Sequence, residues 1–211
     1  MERDRFLSRV SSALLTAHIP DPPETRDELP DPAHDDLLAL FRTRAQGVSA
    51  VVHGPVSRHG VERVVAGIAS GHGASTFVAW DDLPAPGVFS TLESAGLTRI
   101  PASGGQLERY RQVDLGVTGA DAALAESGSV VLVHGPGRPR LASLVPDVHV
   151  AILETGRIHP GLAHWAHAHP DLVASTANLV VVTGPSRSAD IELRLNLGVH
   201  GPRHVHVVLI D

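Results

Sequence analysis

Near the start of the chain, Phe6, Leu7, Val10, Leu14 and Leu15 recur at the three- and four-residue steps of one helix face, predicting a helix from Arg3 to about Ala17. Ile19 to Pro32 carries proline at positions 20, 22, 23, 30 and 32 and reads as an irregular connection. A second helix is predicted over about Ala33 to Gln46. Beyond it the pattern changes to short apolar runs: Val48 to Val52, Thr76 to Trp80, Leu115 to Thr118, Val130 to Val133, Val148 to Leu153, Leu179 to Val182 and Val205 to Ile210. These read as strands. Helix-like spans lie between several of them, at about Val56 to Ser70, Ala120 to Glu126, Gly161 to His169 and Ser186 to Leu197. Runs of this kind alternating with helices predict an α/β fold with a mainly parallel sheet flanked by helices. The link from Arg138 to Val145 is short, which leaves a hairpin or an antiparallel edge open between Val130 and Leu153. The expected organisation is one domain over residues 1–211, with 1–46 as an N-terminal helical extension.

Composition changes this picture mainly by exclusion. All 17 basic residues are Arg, and Lys and Cys are both absent. Without Lys there is no Schiff base, no lysine-anchored pyridoxal phosphate and no Walker-type phosphate loop. Without Cys there is no thiol nucleophile, disulfide or thiolate-held iron–sulfur cluster. A formal charge of −6 with 3% aromatics offers neither the basic stripe nor the stacking surface of a nucleic-acid binder, so no nucleic-acid partner is expected. No apolar run reaches the roughly 20 residues of a membrane span, and a cytoplasmic location is expected.

Ligands of open α/β sheets bind beyond the carboxyl ends of the strands, so the loops there hold the candidate chemistry. In the segment from Val182 to Glu192, Gly184 turns the chain. Ser186 and Arg187 could hold a phosphate or carboxylate there, or Ser186 or Ser188 could simply cap a helix whose dipole Asp190 and Glu192 complement. Those two carboxylates could instead accept hydroxyl or ammonium protons. Asp121 is either a helix-start carboxylate or a group facing a ligand. Glu126, just before a Ser-Gly pair, is a candidate base or nucleophile, against the plainer reading of a capping or solvated side chain. The tripeptide His-Gly-Pro begins at His53, His134 and His200; its imidazoles could converge on one edge as proton shuttles or metal ligands, or merely mark turns. His200 is the favoured member. His159, His164, His167 and His169 have metal-like spacing but lack an H-E-x-x-H pattern, and no metal or cofactor is assigned. Neither a G-x-S-x-G elbow nor a G-x-G-x-x-G loop is present.

Taken in order, Gly116-Val-Thr-Gly-Ala-Asp121, Ala125-Glu-Ser-Gly-Ser129, Thr183-Gly-Pro-Ser186, Ala189-Asp-Ile-Glu192 and Gly198-Val-His-Gly-Pro202 resemble the LUD-domain family, LutC/YkgG-like in type, over about Asp114 to Asp211. Ser188 stands where that pattern has Thr. The resemblance implies a fold like that of the NagB/RpiA/CoA-transferase group and a role in lactate utilisation. It further implies the C component of a three-part system oxidising L-lactate to pyruvate, with iron–sulfur clusters held by partner subunits. On that reading the chain is an accessory subunit that binds its partners and a small carboxylate or phosphorylated ligand through Gly184, Ser186, Arg187, Asp190, Glu192 and His200. The alternative is a stand-alone enzyme acting on a sugar phosphate or acyl-CoA through Asp121 and Glu126. Fold analogy alone transfers no reaction.

Overall fold

The computed structural model describes residues 2–17, 36–101, 110, 113–189, 195–198 and 200–211. It divides into two compact units, Met1–Pro30 and Asp31–Asp211. The first contains α1 (Glu2–Thr16), the helix expected from its apolar spacing. No helix among the described residues is long and apolar enough to cross a membrane.

The second unit opens with α2 (Leu37–Gly47), capped by the Asp36 carboxylate, which accepts the Ala39 N–H at 2.9 Å, and anchored by buried Phe41 and Ala45. Strand β1 (Val51–Val56) begins three residues later than its apolar run suggests. Val48 and Ser49 turn the chain instead, with Ser49 at φ 67° and the Ala50 N–H bonded back to the Ala45 carbonyl. Helix α3 (Arg58–Gly71) is capped by Ser57 and buries Val61, Val65, Ile68 and Ala69, the stripe a helix lays on a sheet. The chain continues through β2 (Thr76–Ala79), α4 (Gly87–Ser94), β3 (Thr98–Arg99), β4 (Leu115–Gly119), β5 (Ala122–Leu124), β6 (Ser129–Val133), β7 (Val148–Glu154) and β8 (Ile158–His159). It ends with α5 (Leu162–Ala168), α6 (Pro170–Ser175), β9 (Leu179–Val182), β10 (Arg187–Ala189), β11 (Leu195–Leu197) and β12 (His204–Ile210).

Six strands form the main sheet in the order β1-β12-β7-β4-β2-β3, every pair parallel. The expected α/β class with a parallel sheet is therefore present. Its central strands are buried on both faces, which is why they read as unbroken apolar runs. A second sheet, β8-β5-β6-β9, is largely antiparallel. The open question between Val130 and Leu153 resolves here: β6 and β7 belong to different sheets, and the antiparallel neighbours of β6 are β5 and β9.

Two helix expectations fail. Within residues 120–126 the regular element is strand β5 (Ala122–Leu124), although Ala-Ala-Leu-Ala favours a helix locally. Alternate side chains serve two cores, Ala123 and Ala125 facing the main one and Ala122 and Leu124 a smaller one with Val131 and Trp165. Only a strand presents successive residues to opposite sides. The described part of 186–197 is likewise not a helix but the antiparallel pair β10–β11. The Ser186 N–H donates to the Pro202 carbonyl and the Ser186 carbonyl accepts the Gly198 N–H, both at 2.9 Å, so its backbone groups are committed to distant chain. Asp121 and Ser186 consequently begin no helix. Helices α4 and α6 and strands β3 and β8 went unpredicted.

Candidate functional site

The carboxyl ends of β2, β4 and β7 open into a cavity of about 240 Å³. Each strand leaves a polar residue there immediately after its apolar run. Trp80 and Asp82 follow β2, Asp121 follows β4 and Glu154 ends β7. Backbone bonds hold these exits in register: Trp80 N–H to Val117 carbonyl at 3.0 Å, and Ala120 N–H to Ile152 carbonyl at 2.9 Å. Gly119 forms part of the wall, and a Cβ there would lie 3.3 Å from Pro84.

Arg138 enters from the loop after β6, a loop tied to the end of β2 by the Asp81 N–H to Gly137 carbonyl bond of 2.9 Å. Its guanidinium is fixed on several sides. Nη1 donates to Asp121 at 2.9 Å and to the Val133 carbonyl at 3.3 Å, while Nε and Nη2 reach Asp82 at 2.8 and 2.6 Å. The plane lies 5.0 Å from the Trp80 ring centroid. These carboxylates raise the Arg138 pKa, Asp82 most strongly. Asp121 also accepts the Val133 N–H at 2.7 Å. Both Asp121 oxygens are thus engaged by donors, and the carboxylate holds the arginine in place.

Arg157, from the short helical turn Thr155–Arg157 after β7, also lines the cavity. Only its Nε meets a described partner, Glu154, at 3.3 Å, and the other Glu154 oxygen is bound by Arg58 at 2.5 Å. Among the described residues its two terminal nitrogens make no hydrogen bond. Beneath the Trp80 wall, His134 packs edge-on to the indole at 5.4 Å, and burial lowers its pKa. The cavity thus brings together two guanidiniums, one held by Asp82 and Asp121 and one bonded only through Nε to Glu154, and those three carboxylates offset their charge.

The predicted site residues are scattered. Asp121 lines this cavity, but Glu126 lies beyond the other end of β5. There its carboxylate sits against Gly161 and accepts the Leu162 N–H at 3.4 Å, at the start of α5. Gly184 (φ 74°) and Ser186 pack against the chain at Val48, Gly201 and Pro202, Arg187 donates to Ser49 Oγ at 2.8 Å, and His200 is exposed. Asp190 and Glu192 lie outside the described residues. The three His-Gly-Pro imidazoles do not converge: His53 lies inside β1, His134 beside Trp80 and His200 in a loop before β12. His159 and His169 meet edge-on at 5.6 Å, and His169 stacks on Trp165. Among the described residues no three His, Asp or Glu side chains enclose a point where a metal ion could sit.

Sequence reasoning missed Trp80, Asp82, Arg138, Glu154 and Arg157. The signal was the charged residue directly after each apolar run, with arginines in the loops that follow. Arg138→Met is expected to lower stability by about 2 kcal/mol, because Asp121 keeps only its backbone donor. Urea unfolding should show part of that loss recovered when Asp121→Asn is added, as a coupled pair requires.

This architecture, a parallel sheet with a polar cavity at its carboxyl edge, defines an α/β domain. The profile of the LUD domain matches residues 91–210, more than half of the chain, so the chain belongs to the LUD domain family. It is 40% identical over 112 residues to lactate utilization protein C of Halalkalibacterium halodurans, covering 50% of this chain and 48% of that protein. It is 34% identical over 158 residues to lactate utilization protein C of a Geobacillus species, covering 64% and 62% respectively. The matched segments thus span about half to three-fifths of those relatives. A crystal structure of a DUF162 family protein from Deinococcus radiodurans superposes with a TM-score of 0.63 at 21% identity, covering 83% of this chain and 96% of that one. That likeness shows the fold.

Proposed function

We propose that this chain is a component of an L-lactate utilisation system that binds a small 2-hydroxy or 2-keto carboxylate, lactate or pyruvate, in the carboxyl-edge cavity. The observation that carries the reading is Arg157, whose terminal nitrogens have no partner among the described residues and which lines a cavity of about 240 Å³ together with the immobilised Arg138. In this assignment Arg157 grips the carboxylate and the remaining Arg138 N–H or the Trp80 face meets the other end. Gly184, Ser186, Arg187 and His200, committed to packing or open to solvent, have a weaker claim on the ligand. Oxidising lactate breaks one C–H and one O–H bond and releases two electrons and two protons. These 211 residues contain no cysteine, so a thiolate-held cluster accepting the electrons belongs to iron–sulfur partner subunits. The relatives named lactate utilization protein C support the same assignment.

Calorimetric titration with lactate and with pyruvate tests it. A charge-assisted bond of about 1.5–3 kcal/mol predicts that Arg157→Gln weakens binding roughly 10- to 100-fold. The exposed Arg187→Gln should leave binding unchanged. Binding that survives Arg157→Gln intact would remove the cavity from consideration.

A further inference from the structure

A groove of about 510 Å³ runs between α3 and the strands β1 and β12, away from the carboxyl-edge cavity. Gly67 and Gly71 leave open space along its helical wall, since a Cβ on either would meet nothing within 4 Å. Imidazoles form its floor. The buried His206 is engaged at both ring nitrogens: Nδ1 lies 3.0 Å from His53 Nε2, and Nε2 lies 3.1 Å from His72 Nε2. His72 caps the end of α3, is exposed, and packs its ring 4.4 Å from that of His204, two residues before His206 on the same face of β12.

A neutral imidazole has one N–H. When His206 donates from Nδ1 to His53, its Nε2 lone pair is directed at His72 Nε2, and something positive must lie between the two nitrogens. A proton on His72 satisfies this, and so would a metal ion. Two imidazole nitrogens bound to one tetrahedral ion at about 2.0–2.1 Å stand about 3.3 Å apart, so the hydrogen-bonded pair already lies close to the separation an ion needs.

We propose that His72 and His206 bind one late divalent transition-metal cation through their Nε2 atoms, with water from the groove completing its coordination. Uptake replaces the hydrogen bond between the two rings: the exposed His72 ring swings until its Nε2 lone pair meets the ion on the His206 lone-pair axis, and its proton passes from Nε2 to Nδ1, so neutral rings release no net proton. His53 fixes the orientation of His206 from behind, the part played by the partner of a metal-bound histidine. No carboxylate lines the groove, so its donors are nitrogen and water, a set that favours Zn²⁺, Ni²⁺ or Cu²⁺ over Mg²⁺ or Ca²⁺. Arg63 on the groove wall opposes any cation and holds the affinity to a modest level.

Calorimetric titration of the full chain, freed of any affinity tag, with ZnCl₂, NiCl₂ and MgCl₂ tests the site. One Zn²⁺ or Ni²⁺ per chain is expected, with no Mg²⁺ binding at the same concentrations. His72→Asn and His206→Gln should each weaken Zn²⁺ binding by about tenfold or more, while joint replacement of His164, His167 and His169 by Asn leaves it unchanged. His72 is exposed, so its variant keeps the fold even if His206→Gln does not. Zn²⁺ should also shift the imidazole ¹⁵N resonances of His72 and His206. Affinity undiminished in His72→Asn, loss only in the triple variant, or equal Mg²⁺ binding would overturn the proposal.

Discussion

Gly128→Ala is expected to destabilise the protein by about 3 kcal/mol or more, although the change adds a single methyl group. Two costs add. Gly128 has φ 68°, a conformation that costs an L-residue roughly 1–2 kcal/mol. A Cβ there would also stand 2.2 Å from the Ala45 nitrogen and 2.4 Å from the Arg44 carbonyl carbon. Those atoms are helix backbone, and buried Phe41 and Ala45 keep α2 from moving away, so overpacking adds roughly 1–3 kcal/mol. Gly73→Ala separates the two terms. Its φ is 64° but a Cβ would meet nothing within 4 Å, so only the conformational cost of about 1 kcal/mol should appear. Urea denaturation of both variants measures the difference. Equal losses would mean that the turn after β5 does not clasp α2.

The same joint shows what the sequence could and could not convey. The Ala-Glu-Ser-Gly-Ser motif invited a catalytic reading of Glu126, yet the structure gives its glycine to a close backbone approach and its glutamate to the start of α5. A motif records that a position is constrained without recording whether chemistry or packing constrains it. The main sheet was legible because β4, β7 and β12 are buried on both faces and so spell uninterrupted apolar runs. Strand β5 was not, because its alternation divides small apolar residues between two cores and leaves no polar face to count. The cavity was half legible. Asp121 was singled out, whereas Arg138 and Arg157 sit in turns whose course depends on which strand ends lie side by side, and strand order cannot be read from periodicity.

Acid is expected to weaken the fold through His149, well before most carboxylates are protonated. This side chain is fully buried, with Nε2 2.9 Å from Thr118 Oγ1 and Nδ1 lacking a hydrogen-bond partner among the described residues. Burial, helped by the charges of His134 and His206, lowers its pKa to about 3. In the unfolded chain the ordinary value of 6.5 applies. Between these values the unfolded state binds a proton that the folded state refuses, so stability rises with pH across the window. The contribution is complete above about pH 6.5 and is lost progressively as pH falls toward 3. At about 1.4 kcal/mol per pH unit, acidification from pH 7 to pH 4 should remove roughly 3 kcal/mol through this residue. His149→Gln lacks the titration, so the stability difference between the parent protein and the variant should shrink by about that amount over the same range. Carboxylates titrate alike in both proteins and cancel in the difference. Parallel stability curves from pH 7 to pH 4 would show that His149 gains a proton in the folded protein as easily as in the unfolded chain.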